Sequence, residues 1–513
     1  MSSVFCYHPP ALSKRERFLS AGLALLLLIL RAASFFRYRF DSDEPQHLHV
    51  AWGWTQGLIQ YRDLFDNHAP LFHIVTAPWL ALFGERADIL FCMRALMIPL
   101  WIFVCAATFL IARRLHSPRV AVWSVLILNL FPTFFLKSIE YRNDDLWVAL
   151  WMAALLALSG GAPFIAGLLL GAAACVSTKT SLLVITLLLA FAPRWREWRR
   201  AVPMALGFIV VPAIVIAVFV KLGAWHDLVY CNFTFNKLVY ATRPSQWALR
   251  ALYVPALIAI FYAARRNVIL LLSLLYTATL ACWWLLISPR ELLAILPLYA
   301  MLIAAWLDGK RFRVPALATI ALICLAGIGR DTNWLRNSTP EFNTMMNQVL
   351  HLTRPGEPLM DYKGETIYRR RPYYFIFEVI GRAELERGLI PDTIARDMIN
   401  TRCHVAQADG KFWPPDGKRF LLAHYIDLGR LRASGNWIGE NGAFEVAIPG
   451  RYVVLDRNGH AQGTLDGVPY RGAVELAPGM HHFTRANSEA VVWLWAPAFE
   501  RGFSPFHLRD REF

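Results

Sequence analysis

Three sets of residues in the chain are suited to proton transfer and to holding a phosphate. The first is Asp43–Glu44 in DSDEPQHLHVAWGWTQG, which begins at Asp41, just after the apolar run Leu19–Phe36. The second is Asp144–Asp145 in EYRNDDLWVALW. The third is a pair of isolated cations, Lys179 in CVSTKTSLLVI and Arg290 in SPRELLAILPLY. A carboxylate can take the proton of an attacking hydroxyl, which typically accelerates a reaction about 10²–10⁴-fold. An arginine fork or a lysine point charge suits phosphate. Ionisable groups at the lip of a membrane span are costly, so each is a functional candidate. Each also has a plainer reading. The carboxylates can cap helices at the water boundary, and the cations can snorkel to headgroups or pair with a carboxylate such as Glu291.

The segment after Glu44 extends the pattern. Pro45 suits the first turn of a helix, with Glu44 as N-cap and Gly57 closing the helix after Gln56. Leu48, Ala51, Trp52 and Thr55 then share a face, and Trp52 and Trp54 suit an interfacial helix. In LIQYRDLFDNHAPLFH, the candidate substrate contacts are Tyr61, Arg62, Asp63 and His68. His47, His49, His68 and His73 lie among carboxylates without HExxH or any other tight ligand spacing. No metal site is therefore assigned, a divalent ion stays an option without ligand support, and no cofactor is expected.

The elements that position these residues are membrane helices. The 513 residues are 56% hydrophobic and 17% charged, against roughly 25% charged in a soluble domain. Apolar runs lie near 19–36, 92–112, 119–137, 145–159, 162–176, 180–193, 203–221, 247–264, 268–287, 290–307 and 314–329. They predict about 11 to 13 spans, with Pro70–Phe83 read as re-entrant or interfacial. The Leu19 run reads as a retained span, because no small-residue cleavage site precedes the acidic loop.

The net charge of +15 gathers between these runs, so it reads as topology and not as a nucleic-acid-binding face. The clusters are Lys14/Arg15/Arg17, Arg113/Arg114/Arg119, Arg194/Arg196/Arg199/Arg200, Arg265/Arg266 and Lys310/Arg311/Arg313. A cytoplasmic N-terminus puts all of them on the cytoplasmic side. It also puts every candidate above at external span ends, with Glu140, Arg142 and Asp66. The expected location is a multi-pass inner (plasma) membrane protein facing outward. Eight cysteines without a CxxC give neither a zinc ribbon nor a redox pair.

The apolar pattern stops near Gly329. The reading is a membrane module over residues 1–329, with its first external loop at about 37–90, and an extracytoplasmic domain over 330–513. Within that domain, 330–435 reads as mixed α/β and 440–497 as a β-rich, sandwich-like part. Helices are expected at Met345–Leu352 and Ile390–Asn400, and a strand or buried helical turn at Tyr373–Val379. Strands are expected at Arg451–Leu455, Ala473–Leu476 and Val491–Trp495. Trp413, Trp437, Trp493 and Trp495 are read as core packing before sugar stacking.

Taken in order, these features form a series: the first span, the Asp-Glu loop, GLIQYRDLFDNHAPLF, the acidic mouth at Asp144–Asp145, the Thr-Lys hairpin and the Arg290 span. Over roughly residues 15–330 the series resembles the GT-C superfamily of membrane glycosyltransferases. Within it, the chain looks like the bacterial relatives of dolichyl-phosphate-mannose–protein mannosyltransferases and the lipid A aminoarabinose transferases. The resemblance implies a polyprenyl-phosphate-linked hexose or pentose as donor and an extracytoplasmic lipid, glycan or protein as acceptor, with inversion. It implies Asp43 as the catalytic carboxylate with Glu44 as its partner, a second carboxylate at Asp144 or Asp145, and Lys179 and Arg290 on the lipid phosphate. The chain has Asn67-His68-Ala69-Pro70 where aminoarabinose transferases carry Glu-Lys-Pro-Pro. The rival classes are a secondary transporter, which usually shows midplane charges and inverted repeats, and a membrane scaffold with a glycan-binding external module.

Overall fold

Each apolar run coils into helix over most of its described length, because a backbone in hydrocarbon must satisfy its own polar groups. The computed structural model describes residues 12–191, 198–238, 244–284, 287–332, 336–408 and 413–507; Arg194 and Arg196 of the third basic cluster lie outside these. Among the described residues, four stretches are long and apolar enough to cross a membrane by length and composition. They are Lys14–Arg37, Ile89–Leu115, Ala201–Lys221 and Arg313–Thr332. Seven shorter apolar helices of 10–17 residues accompany them, among them Leu71–Phe83.

The chain folds as two discontinuous units. One comprises Met1–Glu44, Asp66–Thr76 and Leu90–Thr339; the other comprises Pro45–Phe65, Ala77–Ile89 and Pro340–Phe513. In the first unit, glycine permits one close helix approach. A Cβ on Gly167, Gly171 or Gly207 would strike the backbone of the facing helix, where Pro163–Val176 crosses Trp198–Lys221.

In the second unit, a single eight-stranded sheet draws strands from both stretches read as separate parts. Val492–Trp495 lies between Leu431–Trp437 and Gly450–Asp456, antiparallel to both. Leu359–Met360 pairs parallel with Val405–Gln407, which pairs antiparallel with Leu431–Trp437. A four-stranded sheet, containing Ala443–Val446 and Gly479–Arg485, completes the β structure. Trp493 stacks on Phe444 with ring centroids 5.5 Å apart, in the core shared with Val454 and Phe483. Trp413, Trp493 and Trp495 are buried, while Trp437 is 49% exposed. Helices form at Pro340–Leu352 and Ile394–Asn400. Tyr373–Phe377 is neither strand nor helix. Tyr373 and Phe377 are pinned there as core side chains against Trp413, so packing and not backbone pairing fixes the segment.

Glu384, on the Val379–Glu386 helix, is buried and neither carboxylate oxygen has a hydrogen-bond partner. Burial pushes its pKa up to about 7. An acid whose folded value is raised stabilises the fold below its unfolded value and loses that contribution as pH rises through the folded one. The melting temperature of this unit's unfolding is therefore expected to fall between about pH 5 and pH 7. Glu384→Gln should flatten that slope; a wild-type slope retained in the variant would contradict the assignment.

Candidate active site

The side chains singled out by type converge in the first unit because of how local elements end. The Lys14–Arg37 helix stops at Tyr38, and the next begins at Asp43, two residues earlier than expected. Glu44 is therefore inside the helix and is not its cap. The Asp41 side chain instead accepts from the Asp43 amide (3.3 Å). Pro45 still falls in the first turn, where its missing N–H costs nothing. At the other end Gly57 takes φ 73° and the Leu58 amide reaches back to the Gly53 carbonyl (2.9 Å), the closure expected for that glycine. The helix is buried from Glu44 to Gly53, so it does not lie exposed along one face as an interfacial helix would.

Two further turns bring in the other groups. Asp144 lies in the first turn of Asn143–Ser159. Asn143 Nδ2 donates to the Val176 carbonyl (3.2 Å) and Trp147 Nε1 to Thr180 Oγ1 (3.0 Å). These bonds clamp that helix start onto the Ser177–Thr180 turn, which presents Lys179. Arg290 sits in the 3₁₀ turn Pro289–Leu292, closed by a capping box between Ser288 and Glu291. Tyr276 holds this turn through the Glu291 carbonyl (2.6 Å).

The result is one ion network. Arg142 donates through Nη1 to Asp41 Oδ1 (3.0 Å) and to Asp43 Oδ2, and through Nε to Asp144 Oδ2 (3.3 Å). Asp144 Oδ1 accepts from Lys179 Nζ (2.8 Å), which lies 3.1 Å from Glu291 Oε1. Asp41 Oδ2 accepts from Arg290 Nη2 (2.7 Å), which also reaches Glu140 Oε2 (3.2 Å). Lys137 Nζ donates to Glu140 Oε1 (2.6 Å). Lys179 and Arg290 thus have protein carboxylates as partners, as cations at that depth require. Burial opposes ionisation of Asp41, but Arg142, with Arg290 and Lys137 and against the repulsion of Asp43, holds its carboxyl below the usual range. Glu140 moves the other way: burial raises its pKa, and Lys137 only partly offsets this.

Glu44 is fully buried and committed elsewhere. It accepts from Arg94 Nε (2.7 Å) and Nη2 (2.5 Å), from the Tyr141 amide (2.9 Å) and from the Asp41 amide (2.8 Å). One carboxylate therefore ties the Asp41–Asp43 loop, the Ile89–Ala95 helix and the loop carrying Glu140–Arg142. Asp43 keeps 19% side-chain exposure beside it. Of the acidic pair at the helix mouth, Asp144 belongs to the network, while Asp145 Oδ2 is buried with no hydrogen-bond partner.

His68 Nδ1 lies 2.8 Å from Asp66 Oδ1, and His73 Nδ1 lies 3.5 Å from Asp66 Oδ2. Burial disfavours protonation of His68, but Asp66, with Asp43 beyond it, holds its pKa above the ordinary value. A raised histidine stabilises the fold below its unfolded value and loses that contribution as pH rises through the folded one. The melting-temperature difference between wild type and His68→Gln is thus expected to shrink as pH rises above about 6.5. A constant difference across that range would contradict the pairing.

No family model and no curated relative matches the chain. Among solved structures, the chain is similar to ArnT from Cupriavidus metallidurans in the apo state. The TM-score is 0.56 at 13% identity, over 81% of this chain and 98% of that one. The same protein bound to undecaprenyl phosphate gives 0.54 at 12%, over 80% and 98%. The chain thus shares the fold of ArnT. An oligosaccharyltransferase from Archaeoglobus fulgidus, tethered to an acceptor peptide, gives 0.42 at 10%, over 90% and 76%.

Within this fold, the first unit contains Asp43, Glu44, Asp144, Asp145, Lys179, Arg290 and His68. Tyr61, Arg62 and Asp63 belong to the second unit and form a tight turn of their own. Tyr61 is buried at φ 76° and its carbonyl accepts from Tyr374; Arg62 pairs with Asp63 (2.9 Å), whose Oδ2 accepts from the Ile59 amide (2.8 Å). His47 and His49 also lie in the second unit, apart in sequence and unit from His68 and His73. Among the described residues, no three His, Cys, Asp or Glu group as metal ligands would. The sequence reading missed Asp41, Arg94 and Lys137 as members of the site. A signal existed for Arg94: it is the one charge in ILFCMRALMIPLW, and the rule that flagged Lys179 applies to it equally.

Proposed function

We propose that the chain is a multi-pass membrane glycosyltransferase, with 11 to 13 spans and a cytoplasmic N-terminus, that moves a sugar from a polyprenyl-phosphate donor to an extracytoplasmic acceptor with inversion. The observation that carries this reading is the single network joining Asp43, Asp144, Lys179 and Arg290 through Arg142 and Asp41. A base and phosphate-binding cations must stand together for this reaction. The undecaprenyl phosphate bound in ArnT supports a lipid phosphate as the leaving group.

In this reading the acceptor oxygen attacks the anomeric carbon while the bond from that carbon to the phosphate oxygen breaks. Asp43 takes the hydroxyl proton. The electron pair leaves with the phosphate, whose growing charge Lys179 and Arg290 stabilise. Asp144 positions Lys179, and Arg142 holds Asp43 and Asp144 at fixed separation. Glu44 positions the loop and takes no part in proton transfer. Asp145, buried in the same first helical turn, has no assigned step.

Mass spectrometry of envelope lipids and glycans from a strain lacking the gene tests the reaction class. The expected result is loss of one sugar from one acceptor, with accumulation of the matching polyprenyl-phosphate sugar. An unchanged profile in both pools would count against a transferase.

A further inference from the structure

Asp41 has no role in the chemistry above, yet it stands at its centre. Its side chain is 11% exposed and stands among four cations: Arg290 at 2.7 Å, Arg142 at 3.0 Å, and Lys137 and Arg39 at 3.9 Å. Its Oδ2 takes the Nη2 of Arg290, the same guanidinium read above as a phosphate contact. The Asp41 carboxylate occupies on Nη2 a donor that a phosphate oxygen would take. A phosphate reaching Arg290 must therefore displace Asp41 or settle beside it.

We infer that Asp41 holds the phosphate position on Arg290 in the ligand-free protein and sets selectivity for the donor's phosphodiester over the product's phosphomonoester. The inference rests on the reading of Arg290 as a phosphate contact. The donor is a phosphodiester and carries a single negative charge. Transfer breaks the bond from the anomeric carbon to the phosphate oxygen and leaves its electron pair there. The product is then a monoester, with roughly −1.5 to −2 charges at neutral pH. A fixed carboxylate beside the phosphate repels both, and repels the product more. Asp41 thus lowers affinity most for the species that must leave. Arg142 stays engaged by Asp43 and Asp144 when Asp41 gives way, so the base is not displaced with it.

The test is equilibrium binding of a polyprenyl monophosphate and of its methyl diester to the full-length protein in lipid nanodiscs at neutral pH. The proteins compared are wild type, Asp41→Asn, Asp41→Ser and Arg290→Gln. Asparagine and serine both cap a helix as aspartate does, so the cap at Asp43 survives and melting curves confirm folding. The expected result is monoester binding tightened on the order of tenfold in both Asp41 variants, with a smaller gain for the diester. Arg290→Gln should weaken both probes. A monoester-to-diester affinity ratio that stays constant or falls, while Arg290→Gln still weakens binding, overturns the selectivity role. A merely structural Asp41 would weaken both probes in parallel and leave the ratio unmoved. Binding of both probes untouched by Arg290→Gln would sink the phosphate assignment itself, and the inference with it.

Discussion

Asp43→Asn is expected to lower the transfer rate by about 10²–10⁴-fold, the usual contribution of a general base, with an unchanged melting temperature. The substitution keeps the size and shape of the side chain and removes its proton affinity. Folding should survive because Arg142 retains Asp41 and Asp144 as partners. The loss should fall on turnover and not on donor binding, since Lys179 and Arg290 are untouched. Initial rates at saturating donor, with melting curves on the same preparations, check both halves. Turnover within a few-fold of wild type would remove Asp43 from the chemistry.

Arg94→Met should have the largest effect on stability. Arg94 and Glu44 both have side-chain exposures of 0%, and they meet through two hydrogen bonds of 2.7 and 2.5 Å. Removing one partner of such a pair leaves a buried, uncompensated charge, which costs about 3–5 kcal/mol. The same change releases the loop that carries Asp41 and Asp43, so activity should fall together with the melting temperature. The double variant Glu44→Gln/Arg94→Met removes both charges and should recover most of the lost stability. It should not recover activity, because a neutral amide accepts less strongly from the Tyr141 and Asp41 amides that Glu44 now holds. Thermal unfolding of the two variants in detergent measures this. A single variant that melts with wild type would show that the pair does not hold the loop.

The helical module was legible because apolar runs and the gaps between them are local signals. The isolated charges were legible for the same reason: Lys179 and Arg290 interrupt apolar sequence, and any partner must come from elsewhere. Which partner was not legible. Asp41 and Arg290 are 249 residues apart in sequence, and Glu44 and Arg94 are 50 apart. Several carboxylates and cations stand at the same level, and only packing decides which of them touch. The choice between Asp144 and Asp145 turned on one residue of helical phase, set by the Asn143 and Trp147 bonds to the next hairpin. Glu44 was misread as a cap because Pro45 fits the first position of a helix as well as the third. In the second unit, turns and alternation marked the strands of 440–497. The sheet joining 330–435 to 440–497 does so where Leu431–Trp437 pairs with Val492–Trp495, a long-range contact that no local pattern marks.

The most direct test is release of polyprenyl phosphate by the purified protein in proteoliposomes charged with a pool of polyprenyl-phosphate sugars and an envelope extract as acceptor. If Asp43 and the Lys179–Arg290 cations perform glycosyl transfer, wild type should release polyprenyl phosphate in step with glycosylated acceptor, and Asp43→Asn should release almost none. Equal release by both proteins, or solute uptake into the vesicles without any release, would contradict it.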